Sequence, residues 1–215
     1  MNPISETYNI DCMEYMRQFP DKHFELAVVD PPYGESCNLK GGSSGSGTNG
    51  WSGKMLKANN WNESPSEDYF KELFRVSKNQ IIWGANHFIG KIPFNFSCFL
   101  IWDKGQRDFS LADGEMAWTS FSSSARFFNY SRAKALRDNK IHPTQKPVAL
   151  YKWLLSNYAK PGDKILDTHL GSGSSRIAAY DLGFDFYATE LDKDYFDAQE
   201  KRFQNFKSQL KLEFA

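Results

Sequence analysis

The sequence predicts an α/β fold built on a mostly parallel sheet. Three observations carry that expectation. Short apolar runs recur along the chain, segments with helical spacing separate them, and those segments carry their own start and stop signals. Apolar runs without polar alternation suit strands covered on both faces, which predicts helices on both sides of the sheet. The 215 residues fit a single domain, 1–215, with room for an inserted loop.

In chain order, residues 7–10 are a weak strand candidate and 25–30 a strong one. Ser64-Pro65-Ser66-Glu67 reads as a capping box with proline at the first helical position. It opens a helix to about residue 75, with Tyr69, Phe70, Leu73 and Phe74 inward. Residues 80–84 and 98–103 are the next strands. Pro147 starts a second helix with Val148, Tyr151, Leu154, Leu155 and Tyr158 at helical spacing, and Pro161 and Gly162 lie just beyond it. A strand at 164–167 precedes a third helix at 174–182, which Gly183 is placed to cap. Residues 184–190 are a weaker strand. A fourth helix, 195–206, sets Tyr195, Gln199 and Phe203 one turn apart.

Two segments stand apart in composition. Residues 36–60 hold Gly41, Gly42, Gly45, Gly47, Gly50 and Gly53. They are expected to form a mobile loop, either functional or an insertion without a role. The second segment is basic. From Phe121 to Pro147 there are six basic residues (Arg126, Arg132, Lys134, Arg137, Lys140, Lys146) and one acid (Asp138), with Phe127, Phe128 and Tyr130 interleaved. Such a stretch reads either as a nucleic-acid surface or as a solvated loop.

Composition excludes several classes. Twenty-six basic and 26 acidic residues give zero net charge, which rules out a polybasic protein but not a local basic patch. Cys12, Cys37 and Cys98 are scattered and odd in number, so neither a disulfide framework nor a paired-cysteine metal site is expected. The N-terminal stretch lacks a signal peptide's apolar core, and no apolar run reaches the ~18 residues of a membrane span. These features predict a soluble cytoplasmic protein with no metal and no membrane contact.

Two motifs carry chemistry. Residues 164–175 run strand, Gly-x-Gly turn, helix: Asp167, Thr168, His169, Leu170, Gly171, Ser172, Gly173, Ser174. Glycines there let the backbone approach a ligand at a helix N-terminus. Glu190 ends the next strand, where an acid accepts from ribose hydroxyls. Arg176 stands where a dinucleotide fingerprint needs its third glycine, which points to a nucleoside without a diphosphate, such as S-adenosylmethionine. The second motif, Asp30-Pro31-Pro32-Tyr33, lies at a strand's carboxyl end. The prolines hold the Asp30 carboxylate and the Pro31 carbonyl rigidly side by side. Two acceptors at fixed spacing suit an amino group, and Tyr33 offers a flat face to a base. The bland alternative is a proline turn that ends a strand.

Together with Asn9-Ile10-Asp11-Cys12-Met13 and the run from His142 to Leu150, these motifs resemble the beta group of S-adenosyl-L-methionine-dependent amino-group DNA methyltransferases, N6-adenine type. In that group the catalytic motif precedes the glycine motif. The resemblance implies a Rossmann-like sheet and double-stranded DNA as substrate. It implies Asp30, Pro31, Pro32 and Tyr33 as catalytic residues. For cofactor contact it implies Asp167, His169, Gly171, Gly173, Ser174 and Glu190, with Asp11 and Cys12 at the cofactor's adenine. Thr144, Gln145 and Lys146 would lie near its methionine carboxylate, or Lys146 at a phosphate. Asp11 reads equally as a helix cap, with Glu14 completing a capping box. A homodimer is expected by analogy alone. The family usually has proline and an aromatic where Thr168 and His169 stand here, and only about 105–140 is available for target recognition. Kept beside this reading are an N4-cytosine enzyme, in which Ser usually replaces Asp30, and a silent module that binds cofactor or DNA.

Overall fold

The computed structural model describes residues 2–34, 63–92, 97–107, 112–135, 137–138 and 140–213. The expected glycine-rich loop at 36–60 lies outside them.

Eight strands form one sheet in the order β1-β8-β7-β2-β3-β5-β4-β6. They are β1 (Ser5–Tyr8), β2 (Phe24–Val29), β3 (Ser77–Trp83), β4 (Phe99–Asp103), β5 (Gly114–Thr119), β6 (Arg126–Asn129), β7 (Lys164–Asp167) and β8 (Asp185–Thr189). Every neighbouring pair is parallel except those made by β5, which runs antiparallel to β3 and β4. The mostly parallel α/β sheet is therefore as the apolar runs predict.

Both faces are covered. Along β2, Leu26 and Val28 join one core cluster with Leu150 and Leu154 of α4 (Val148–Tyr158) and Ala178 of α5 (Ser174–Asp181). Phe24, Ala27 and Val29 join the other, with Tyr15 and Met16 of α1 (Cys12–Met16) and Phe70 and Leu73 of α2 (Glu67–Val76). From Leu26 to Val29 alternate side chains thus face opposite helix layers, and all four are apolar. Each such valine, leucine, methionine or phenylalanine contributes about 1.5–3 kcal/mol by leaving water.

Several local readings need correction. Ser66 and not Ser64 caps α2: its Oγ accepts from the Tyr69 amide at 3.3 Å. Pro65 therefore precedes the cap instead of opening the helix. The last helix, α6 (Lys193–Glu213), runs further at both ends than its apolar spacing suggested. The basic stretch is not a plain loop, because it contributes β6, paired parallel to β4, and the short α3 (Arg132–Ala135). β5 carries no clear period in its sequence, and its antiparallel place between β3 and β4 is imposed by pairing. No helix of the described residues is long and apolar enough to cross a membrane.

Candidate functional site

From β7 the chain winds through α5 to β8 on one side, and from β2 through α2 to β3 on the other. The carboxyl ends of β2 and β7 therefore stand together where the winding reverses. Such a switch point leaves a crevice above the strand ends. A cavity of about 430 Å³ opens there, within the ~300–1,000 Å³ usual for small-molecule sites. Asp30, Pro31, Pro32 and Tyr33 line it from the end of β2, and His169 and Gly171 from the turn after β7. Asp11 and Cys12 enter from the start of α1, Thr144, Gln145 and Lys146 from the run into α4, and Glu190 from the end of β8. The fold thus joins motifs that are far apart in the sequence.

Three expected ligand contacts do not line the cavity. Asp167 lies behind its wall, accepting from Ser175 Oγ at 2.5 Å and from the His169 amide at 3.0 Å. Burial lifts its carboxyl to about 7. Gly173 is the residue before α5, at φ +72°, with its missing Cβ only 3.2 Å from the Gln199 side chain. Ser174 Oγ meets Ser172 Oγ at 3.1 Å and Arg202 at 2.9 Å. These residues shape the turn from behind and present Leu170 and Gly171 to the cavity. Arg176 points away as well: its guanidinium lies 3.9 Å over the Phe203 ring and bonds Gln199 at 3.0 Å.

On the glycine-turn side, side chains fix backbone. The Glu190 carboxylate accepts from the Gly171 amide at 2.7 Å and the Asp192 amide at 2.9 Å. Burial nevertheless raises its pKa, with those amide bonds opposing. Asp11 combines the two roles that its sequence allowed. Its Oδ1 accepts from the amides of Met13 and Glu14 at 2.9 and 3.2 Å, capping α1, and the residue also lines the cavity. His142 packs on Tyr195 with ring centroids 4.4 Å apart. Burial, with Lys146 and Lys140 nearby, holds it neutral with a pKa near 3, and burial holds His169 near 4.

On the β2 side, side chains meet side chains. Tyr33 Oη donates to Asp30 Oδ1 at 2.7 Å, and Lys146 Nζ donates to Asp30 Oδ2. The same ammonium lies 3.0 Å from Glu115 Oε2, 3.2 Å from Tyr33 Oη and 5.4 Å over the Trp83 ring. Lys104 pairs with the other Glu115 oxygen at 2.5 Å. Lys146, expected near an incoming carboxylate or phosphate, lines the cavity with its ammonium engaged by protein carboxylates. Tyr33, expected to offer a flat face, lines the cavity as well. Its ring stacks on His87 at 4.9 Å and 10°. Burial and the neighbouring carboxylates of Asp30 and Glu115 hold its hydroxyl well above the usual phenol range, so it is a neutral donor.

Sequence reasoning missed Glu115, His87 and Gly84. Gly84 follows β3 at φ +73°, and a Cβ there would fall 2.1 Å from the Tyr33 ring. A glycine closing an apolar strand was the one available signal. Glu115 gave none, sitting in a strand that the pattern did not reveal.

The chemistry of the lining is one-sided. Among the described residues, Asp11, Asp30, Glu115, Glu190 and Asp192 bring carboxylates to the cavity and Lys146 brings the one ammonium. Such a site suits a cationic ligand rich in hydroxyl and amino groups, and suits a diphosphate poorly. No group of three or more potential metal ligands occurs among the described residues.

Comparison with known proteins agrees with this geometry. The family described as DNA methylase, N6_N4_Mtase, matches residues 82–201. The type II methyltransferase M.HinfI of Haemophilus influenzae is 29% identical over 92% of this chain and 67% of its own length. M2.MboI of Moraxella bovis, also a type II methyltransferase, is 23% identical over 96% of this chain and 90% of its own. Among solved structures, M1.HpyAVI in complex with SAM superposes with a TM-score of 0.62 at 18% identity, covering 92% of this chain and 98% of that one. The cytosine-N4-specific PvuII DNA methyltransferase gives 0.61 at 14% identity, covering 94% and 86%. The family match spans more than half of the residues, and the chain belongs to the N6_N4 DNA methylase family.

Proposed function

We propose that this DNA methylase transfers a methyl group from S-adenosyl-L-methionine to the N6 amino group of an adenine extruded from double-stranded DNA, and that it is a beta-group enzyme of the Asp-Pro-Pro-Tyr type. One observation carries the reading: Asp30 and Pro31, at the end of β2, line the same cavity as Gly171 and Glu190, at the ends of β7 and β8. The order along the chain, acceptor motif first and glycine turn second, supports the group.

The cavity fits the cofactor by its donor set. Carboxylates at Glu190, Asp192 and Asp11 can take ribose hydroxyls and an adenine amino group, and the acidic lining suits a sulfonium. When bound, S-adenosylmethionine supplies a methyl group activated by positive sulfur. The protein's part is positional. Asp30 and the Pro31 carbonyl accept the two N–H bonds of the target amine and so aim its lone pair at the methyl carbon. That lone pair forms the new N–C bond as the C–S bond breaks with its electrons retained on sulfur. As positive charge develops on the nitrogen, its proton passes to the Asp30 carboxylate that accepts that N–H and from there to solvent. A carboxylate is too weak a base to remove that proton beforehand. An adenine inside the duplex is out of reach, so extrusion costs a few kcal/mol. Stacking on Tyr33, braced from behind by His87, returns about 1–3 kcal/mol.

Phosphate contact falls to the basic segment within 105–140. Arg126, Arg132, Lys134 and Arg137 are exposed there, and Phe127 is 61% exposed beside them. The setting that goes with this reading is the cytoplasm, with a homodimer as the expected assembly. The test is to treat unmodified DNA with the protein and labelled cofactor and then sequence the modified bases. N6-methyladenine in a recurring context supports the reading, whereas N4-methylcytosine or no transfer overturns it.

A further inference from the structure

Lys146 is 3% exposed, and its ammonium is shared between Asp30 and Glu115. Each partner comes from a different element: Asp30 from the end of β2, Glu115 from the antiparallel strand β5, and Lys146 from the run into α4. A buried ammonium is costly unless its charge and donors are matched. Here two carboxylates and the Tyr33 hydroxyl match it. Attraction to Lys146 and Lys104 draws the Glu115 carboxyl down to about 2, against its burial. Glu115 thus keeps a full negative charge behind Lys146 throughout the working pH range.

We propose that Glu115 is a positioning residue for methyl transfer, acting through Lys146 to fix the orientation and charge of the Asp30 carboxylate. The ammonium binds one Asp30 oxygen, and the Tyr33 hydroxyl binds the other. The carboxylate plane is thereby locked, and the remaining lone pairs can take a substrate N–H. Glu115 divides the pull of Lys146, so that Asp30 is held without being fully neutralised. The inference rests on the catalytic reading of Asp30 given above.

The charged and titratable groups around Asp30 come from every element packed on it. They are Tyr33 beside it, Lys146 and Tyr151 from α4 and its approach, Glu115 on β5 with Lys104 behind, Asp167 on β7 and Tyr69 on α2. Burial raises the three tyrosines and keeps them protonated. Lys146→Met then leaves Asp30 with the Tyr33 hydroxyl and Glu115 with Lys104, without the cation they share. Loss of that shared cation should change the pH dependence of kcat, a readout that a merely structural cluster would not move.

The experiment compares full-length Lys146→Met, Glu115→Gln and the double variant by kcat–pH profile and by cofactor Kd from calorimetry. Glu115→Gln is expected to lower kcat about tenfold, as loss of a supporting partner does, with cofactor Kd unchanged. The double variant should return the profile toward wild type, because it removes the Glu115 charge together with the cation that balanced it. Additive losses with no change in the kcat–pH profile would make the cluster merely structural and overturn the inference. So would a Lys146→Met protein that loses cofactor affinity while keeping its pH profile. If Lys146→Met does not fold, the inference still fails on a Glu115→Gln protein with wild-type kcat. Asp30→Ala is the control: if it stays active the catalytic reading fails, and if it is inactive while Glu115→Gln is unaffected, only the present inference fails.

Discussion

The two walls of the cavity are built by opposite means. On the glycine-turn wall, carboxylates hold backbone: Glu190 accepts from the Gly171 and Asp192 amides, Asp167 from the His169 amide, and Asp11 from two amides of α1. On the β2 wall, a carboxylate is itself held, by Lys146 and Tyr33, with Glu115 behind. A wall of fixed backbone presents a constant shape and suits recognition of a ligand that is the same in every turnover. A wall of coupled side chains presents a tuned charge and suits the reacting centre. The difference teaches that binding and chemistry should be separable here by mutation, although the walls share one cavity.

The largest expected effect is at Asp30. On the proposed reading Asp30→Ala removes one of the two acceptors for the amine, and it leaves Lys146 with Glu115 as its one carboxylate partner among the described residues. Turnover should fall by about 10²–10³-fold or more, the usual cost of losing a preorganised electrostatic partner, with cofactor Kd within a few-fold of wild type. A large loss of cofactor affinity would show that the walls are not separable. Glu190→Ala probes the opposite wall. It frees two amides that now have a carboxylate partner and, on the proposed reading, removes the acceptor for ribose hydroxyls. Cofactor Kd is expected to rise about 10–100-fold, at roughly 1.4 kcal/mol per decade for one or two charge-assisted bonds. At saturating cofactor, kcat should be nearly preserved, and a collapse of kcat there would contradict the division.

Gly84 sharpens the comparison, because it acts on the β2 wall through shape alone. Gly84→Ala places a Cβ 2.1 Å from the Tyr33 ring at a residue with φ +73°. A left-handed alanine costs about 1–2 kcal/mol, and the ring must also move off His87. A lower denaturation midpoint and a reduced kcat are expected together, without a change in cofactor Kd. An unchanged kcat would mean that the stack of Tyr33 on His87 is dispensable.

The same contrast explains what could be read in the sequence. The glycine-turn wall is local: Asp167, Gly171, Gly173 and Glu190 follow one strand–turn–helix–strand unit, so spacing alone locates it. Even so, spacing could not tell Gly171, which faces the cavity, from Gly173, which turns the chain into α5. The β2 wall is assembled across 116 residues between Asp30 and Lys146. Its third member sits on β5, whose residues, Gly114 to Thr119, show neither clean alternation nor a continuous apolar run. Residue type exposed Asp30 and Tyr33 as chemically unusual, but nothing local says that Lys146 would turn toward them and not toward a ligand. Arg126-Phe127-Phe128-Asn129 was legible as basic and aromatic, yet its place as the edge strand β6 depends on β4, which lies more than twenty residues before it.

The smallest expected effect tests whether the backbone-holding wall carries a cost of its own. Asp167 is buried, accepts only from Ser175 and the His169 amide, and has its carboxyl raised from the ordinary 3.8 to about 7. Because the folded value lies above the unfolded one, the folded state binds this proton more tightly. The stabilisation is complete below about pH 4 and is lost as pH rises toward 7. Asp167→Asn can keep the bond from Ser175 through its amide oxygen, gives up the one from the His169 amide at every pH, and carries no charge to bury. Relative to the wild type, it should therefore gain stability between about pH 4 and 7, measured as urea midpoints across that range. Other carboxylates contribute to both proteins equally, so the difference between the two curves isolates this one group. A difference that is flat with pH would show that Asp167 is ionised at no cost, and that the glycine-turn wall, like the β2 wall, holds its charge by pairing.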